Sequence, residues 1–362
     1  LPLRLVVAKP LALAANMANM VFMSLRLSRL FREREINRSI SRNKLHERTM
    51  KICFITSNPQ VDYIKSDLEK LGQVSVYNKQ KLVEDEVVEL ASDSEVLVAG
   101  SSGVEKITKT LLDKLPKLRL IALLTVGFDW VDVRYAREKG IVVSNIKGAN
   151  SESVAEQTWG MILDLAKRIT EFDRDARLKG AFRFNDYKGK EIFGKTLGII
   201  GLGDIGTKVA RGATGFNMRV LGLNRSKQPV AGVELVELPQ LLAESDVIAV
   251  CAPLTPETNN MITASEIAQM KDGVILVNTS REELVDKNAV VEGLKSGKIF
   301  GYGIETAIMT PISNDDIYFT ASARVIATPH NAFNTEDADK KSYELVAANI
   351  KAWVEGKPQN MV

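Results

Sequence analysis

A chain of 362 residues exceeds the usual ~100–200 of a single domain, and 45% hydrophobic with 26% charged residues gives ample apolar material for packed cores. Disordered, collagen-like and disulfide-scaffolded chains are excluded on that composition. The formal charge of +3 is unevenly spread: residues 1–49 carry ten Lys/Arg and three acids, and the rest carries 38 basic and 42 acidic residues, so no nucleic-acid-binding face is expected.

In the first segment the longest uncharged run, 10–25, includes Asn16 and Asn19 and falls short of the ~20 apolar residues of a membrane span. No membrane partner is expected. Met50 opens a strand pattern, so residues 1–49 are expected to be an upstream extension or a mis-assigned start. A transit segment, suggested by their Arg-rich and acid-poor character, is the alternative. Cys53 and Cys251 lie far apart in apolar runs, which predicts reduced thiols, no metal site and a cytoplasmic location, or an organellar one if residues 1–49 direct import.

From residue 51, short apolar runs at 51–56, 74–77, 95–99, 118–125 and 141–145 alternate with helical patterns such as 61–71 and 105–115. That alternation predicts a parallel sheet covered on both faces. One long amphipathic helix is predicted over 153–173, capped by Ser151 or Ser153. Its Val154, Trp159, Met161, Ile162 and Leu165 present more apolar surface than one sheet face would cover. Runs at 196–200, 218–223, 247–252, 274–279, 299–304 and 324–327 then read as six strands of a doubly wound dinucleotide fold, followed by a closing helix over 335–355 that returns to the first half. The expected class is α/β with two doubly wound parallel-sheet domains. One comprises 50–149 with 331–362, the other 150–330.

Gly201-Leu202-Gly203-Asp204-Ile205-Gly206 follows the run 197–200 directly and opens a helix. The three glycines serve a tight turn, close backbone approach to a pyrophosphate, and close helix-to-strand packing, with the phosphates at the helix N-terminus. At the end of the next strand, Asn224-Arg225-Ser226 lacks the acid that would accept hydrogen bonds from both ribose hydroxyls. A guanidinium and a hydroxyl there suit a 2′-phosphate, which favours NADP over NAD, unless Arg225 is only a solvated charge.

The body of the chain has one imidazole, His330, in the run 327–330 just past the sixth strand, where open α/β sheets bind ligands. It is a candidate general acid/base, the alternative being a hydrogen-bonded turn residue. Arg281 sits similarly past the run 274–280. There it can clamp a carboxylate with two parallel hydrogen bonds, or pair with Glu282, Glu283 or Asp286. A dinucleotide loop, a carboxylate clamp and one imidazole together describe hydride transfer to a 2-keto acid.

With those segments read, the chain from Met50 to Val362 resembles the D-isomer-specific 2-hydroxyacid dehydrogenases. The likeness is carried by the segments 124–129, 154–156, 194–203, 253–258, 278–281 and 328–330. The resemblance implies a flavodoxin-like substrate domain and a Rossmann dinucleotide-binding domain, and a homodimer in which the apolar helix over 153–173 meets its twin across a two-fold axis. It makes Arg281 the carboxylate-binding residue and His330 the acid/base. Backbone amides would come from Ser101, Ser102, Val126 and Gly127. Gly201, Gly203, Asp204, Ile205, Gly206, Asn224, Arg225, Ser226, Pro253, Thr258, Thr279, Ser280, Arg281, Glu305 and His330 would lie along the cofactor. The family's pattern has aspartate at the Glu305 position and, five residues on, a glutamate that pairs with the histidine; here Thr310 stands there. Asp204 and Glu282 add negative charge where the pattern has arginine and glycine. The expected activity is reduction of a small 2-keto acid of the glyoxylate, hydroxypyruvate or lactate type. A dinucleotide-binding sensor of low activity is the alternative that Thr310, Asp204 and Glu282 suggest, and formate or phosphite oxidation is a third.

Overall fold

The computed structural model describes residues 49–179, 184–305 and 316–362, so the readings of residues 1–48 and of Thr310 lie outside the described residues. Five parallel strands, β1 (Met50–Thr56), β2 (Gly72–Asn78), β3 (Val96–Ala99), β4 (Leu120–Leu123) and β5 (Val142–Ser144), pair in the order β2-β1-β3-β4-β5. This is the flavodoxin-like order. Alternate residues point to opposite faces. Cys53, Ile55, Leu97 and Ala99 pack with Val87, Leu111 and Ala136, whereas Ile52, Phe54, Val96 and Val98 pack with Leu68, Tyr343 and Ile350.

Seven further parallel strands, β6 (Thr196–Ile200), β7 (Arg219–Leu223), β8 (Glu234–Leu235), β9 (Val247–Val250), β10 (Val274–Asn278), β11 (Ile299–Glu305) and β12 (Val325–Thr328), pair as β12-β11-β10-β9-β6-β7-β8. The sequence predicts six of them. The seventh, β8, is two exposed residues beside Leu221 and Gly222, too short and polar to leave an apolar run. The order reverses between β6 and β9, which opens the crevice where such sheets receive ligands.

The predicted helix 153–173 is two helices, α1 (Ser151–Lys167) and α2 (Ile169–Lys179), broken at Arg168, whose φ of 56° is left-handed. In α1, Val154, Met161, Ile162 and Leu165 are all buried within the chain. Gly301 and Gly303 leave room for them: a Cβ there would lie 2.9 Å from Leu165 Cδ2 and 3.2 Å from Met161 Cβ. Trp159 stacks on Phe216 at 5.1 Å and donates to the Val209 carbonyl. The expected excess of apolar surface on this helix is therefore absent. The predicted helix 105–115 also shrinks to Lys109–Asp113, because Ile107 bridges Val131 in extended pairing. Helix α3 (Asp204–Gly212) follows the glycine-rich loop, and α4 (Glu336–Val354), N-capped by the Thr335 hydroxyl, packs Tyr343, Val346 and Ile350 on the first sheet. Among the described residues no helix is long and apolar enough to cross a membrane, and no three His, Cys, Asp or Glu side chains group to hold a metal.

Candidate active site

The glycine-rich loop joins β6 to α3 at the crevice. Gly201 has φ +98°, a left-handed conformation glycine adopts freely, and a Cβ on it would lie 2.7 Å from the Ala252 amide nitrogen. At Gly206 a Cβ would meet the Gly201 carbonyl oxygen at 2.0 Å, so helix and strand touch there. Gly203 differs: a Cβ on it would meet no protein atom within 4 Å. Gly203 is also the N-cap of α3, and no side chain caps that end. The first amides of α3, at Asp204, Ile205 and Gly206, thus face open space beside a residue without a side chain, and these residues fit a pyrophosphate.

At the end of β7 the Lys227 amide donates to the Asn224 carbonyl at 3.0 Å, which turns Arg225 and Ser226 out to solvent. Across the crevice Thr258 donates to the Pro253 carbonyl at 2.6 Å and rigidifies the turn after β9. Next to it, Glu257 is held below the usual carboxylate range by the Thr255 hydroxyl first and by the charge of Arg225 as well. Thr279 turns its hydroxyl inward to Thr158 on α1 at 2.8 Å, and Ser280 donates its hydroxyl to the Ala252 carbonyl, so both side chains brace the end of β10. Asp204 is exposed at the start of α3, and Glu282 faces Lys287 at 3.8 Å.

Arg281 projects from the end of β10 onto the loop after β4, reaching from one sheet to the other. A Cβ on Gly127 would lie 2.5 Å from Arg281 Nη2, so only glycine lets the guanidinium lie there. The carbonyls of that loop are taken: Thr125 Oγ1 and Trp130 Nε1 donate to the Gly127 oxygen at 2.7 and 3.2 Å, and Asn145 Nδ2 to the Val126 oxygen at 2.7 Å. The amides of Val126, Gly127, Ser101 and Ser102 have no protein acceptor among the described residues. Uncommitted N–H groups beside a guanidinium form a cradle for an anion. Of the ion pairs the sequence suggested for Arg281, none forms among the described residues. Its carboxylate neighbour is Asp129, with Nη2 and Oδ1 3.5 Å apart, 152 residues away in sequence.

His330 stands half-buried past β12 with φ +51°, and its amide donates to the Thr328 carbonyl at 2.9 Å. A histidine in the left-handed region is costly, on the order of 1–3 kcal/mol, so its surroundings must hold it. Glu305, at the end of β11, grips that turn on both sides. One carboxylate oxygen accepts from the Thr328 hydroxyl and the other from the Ala332 amide at 3.3 Å, while Gln157 Nε2 of α1 reaches Glu305 and Thr328 at 3.4 Å each. Burial pushes the Glu305 carboxyl above its usual range, and these hydrogen bonds pull against the shift. Gln157 and the Asp129 carboxylate are the site-proximal groups that sequence reasoning misses; neither spacing nor residue type marks them.

Residues 159–332 match the family described as D-isomer specific 2-hydroxyacid dehydrogenase, NAD binding domain. A glyoxylate reductase of Thermococcus litoralis is 35% identical over 321 residues, covering 85% of this chain and 96% of that protein. A D-3-phosphoglycerate dehydrogenase of Methanocaldococcus jannaschii is 37% identical over 295 residues, 80% of this chain but 55% of that protein, so the chain spans about half the length of that relative. The structure of D-lactate dehydrogenase from Aquifex aeolicus complexed with NAD and lactic acid has a TM-score of 0.72 at 32% identity, covering 84% of this chain and 96% of that one. With a matching NAD-binding domain and relatives of this kind over most of its length, the chain belongs to the D-isomer-specific 2-hydroxyacid dehydrogenases, a family of NAD(P)-dependent oxidoreductases.

Proposed function

We propose that the protein is an NADP(H)-preferring reductase of small 2-keto acids of the glyoxylate, hydroxypyruvate or lactate type. The observation that carries this reading is the guanidinium of Arg281 lying against Gly127, beside amides that have no protein acceptor among the described residues. In this reading residues 50–149 with 331–362 hold the substrate, residues 150–330 hold the cofactor, and two copies form a homodimer. The thiols of Cys53 and Cys251 are free and pushed up to about 12 by burial, which suits a reducing, cytoplasmic setting.

The nicotinamide, when bound, supplies the hydride in the reducing direction. Arg281 and the amides of Val126 and Gly127 fix the substrate carboxylate, with those of Ser101 and Ser102 in support, which orients the neighbouring carbonyl. His330 gives its imidazole proton to the carbonyl oxygen as negative charge develops there. Glu305 holds the His330 turn through Thr328 and Ala332.

Arg281→Ala and His330→Ala are expected to fail differently. Losing the clamp removes a charge-assisted contact of roughly 1.5–3 kcal/mol, so KM rises and kcat/KM falls about ten- to a few hundredfold. Losing the imidazole lowers kcat by roughly 10²–10⁴ and changes the Kd for NADPH little. Initial rates with glyoxylate and hydroxypyruvate measure both, and near-normal turnover in His330→Ala would remove the histidine from the chemistry.

A further inference from the structure

We propose that Asp129 is a built-in rival of the substrate's carboxylate for Arg281, and that it sets how tightly the cleft takes a 2-keto acid. This deepens the proposed function and rests on the reading of Arg281 as the carboxylate clamp. A guanidinium offers two edges for bidentate binding of a carboxylate, the end-on edge of Nη1 and Nη2 and the side-on edge of Nε and Nη2. Both include Nη2. Nη1 already donates to the Ser280 carbonyl at 3.1 Å, while Nη2 faces Asp129 Oδ1 at 3.5 Å. A substrate carboxylate therefore reaches either edge only by coming up to Asp129 or displacing it.

The position of Asp129 is fixed by its loop. The Gly127 carbonyl accepts from Thr125 on one side and Trp130 on the other, and the Val131 amide closes the segment by donating to the Phe128 carbonyl at 3.0 Å. Asp129 lies inside that braced turn, two residues past the amide of Gly127 that would meet the substrate. Its side chain is 61% exposed against 33% for Arg281, so it can swing into solvent when a ligand arrives. Before that, it is the carboxylate that pairs with Arg281 among the described residues. The pair also links the loop after β4 to the end of β10.

Asp129→Asn keeps the shape and removes the charge. At low ionic strength the KM for glyoxylate and the Ki of oxamate, an unreactive keto-acid mimic, are expected to fall about two- to fivefold, the range of an exposed ion pair. The gain is expected to shrink as salt rises past about 0.15 M, where charges are screened over roughly 8 Å. In an Arg281→Ala background the same substitution is expected to change neither constant, and Asp129→Ser, which is smaller, should repeat the Asn result. A KM that rises or stays constant in Asp129→Asn, while Arg281→Ala still raises it, would overturn the rivalry and leave the clamp standing. An Arg281→Ala enzyme with an unchanged KM would instead bring down the clamp reading, and the rivalry with it.

Discussion

The proposed preference for NADP(H) turns on Asn224. It closes β7 with its carbonyl bound by the Lys227 amide, and the two residues after it face solvent. An aspartate there would accept from both ribose hydroxyls and repel a 2′-phosphate. Asn224→Asp is thus expected to turn the enzyme from NADPH towards NADH by about ten- to a hundredfold, the worth of one charge-assisted contact. Dissociation constants for both cofactors at equal salt measure it, and a wild-type enzyme that holds NADH more tightly would refute the ribose argument. Arg225 was legible from its place after a strand. Glu257, which feels its charge, was not, because the two are far apart in sequence and come near each other only through the turns after β7 and β9. Arg281 repeats the lesson: the acids beside it in sequence, Glu282, Glu283 and Asp286, were the visible candidates, and the acid it meets comes from the other sheet.

Elements report the same division between local and distant causes. Strands made of unbroken apolar residues, such as Val96–Ala99 and Val247–Val250, were legible because burial on both faces leaves no polar position. The break at Arg168 was not, since the apolar spacing runs on past it and the second helix is merely redirected. The turn after β12 was legible as a candidate site but not as a network, for it is held by Glu305 of β11 and Gln157 of α1. That network has a pH signature. Burial raises the Glu305 carboxyl above its unfolded value, so the fold favours the protonated form. The contribution of this group to stability is fully present below the ordinary carboxylate value of about 4.3 and is lost as pH rises through the raised one. As pH rises from the ordinary carboxylate value of about 4.3, the wild-type urea midpoint is expected to fall relative to that of Glu305→Gln. Parallel curves would show that the carboxyl titrates as if it were in water.

On the scale of the whole molecule, the apolar face of α1 is spent inside the chain, so the proposed dimer has to draw on other surface. Ile169 and Leu178 on α2 are 57% and 77% exposed, and Phe193 is 66% exposed. Light scattering of the full chain at micromolar concentration is expected to give twice the chain mass; a monomer mass would end the proposal. The path of the backbone has a further consequence. Helix α4 covers one face of the first sheet, and beyond it the Asn145 amide donates to the Asn360 carbonyl while the Val362 amide donates to the Val143 carbonyl. On a ribosome these residues emerge after all twelve strands. Until then Ile52, Phe54, Val96 and Leu120 lack Tyr343, Val346 and Ile350 as a cover. The half that is made first is therefore finished last, and the nascent chain carries an open apolar face until α4 emerges, a surface for chaperones to shield and for misfolding to exploit.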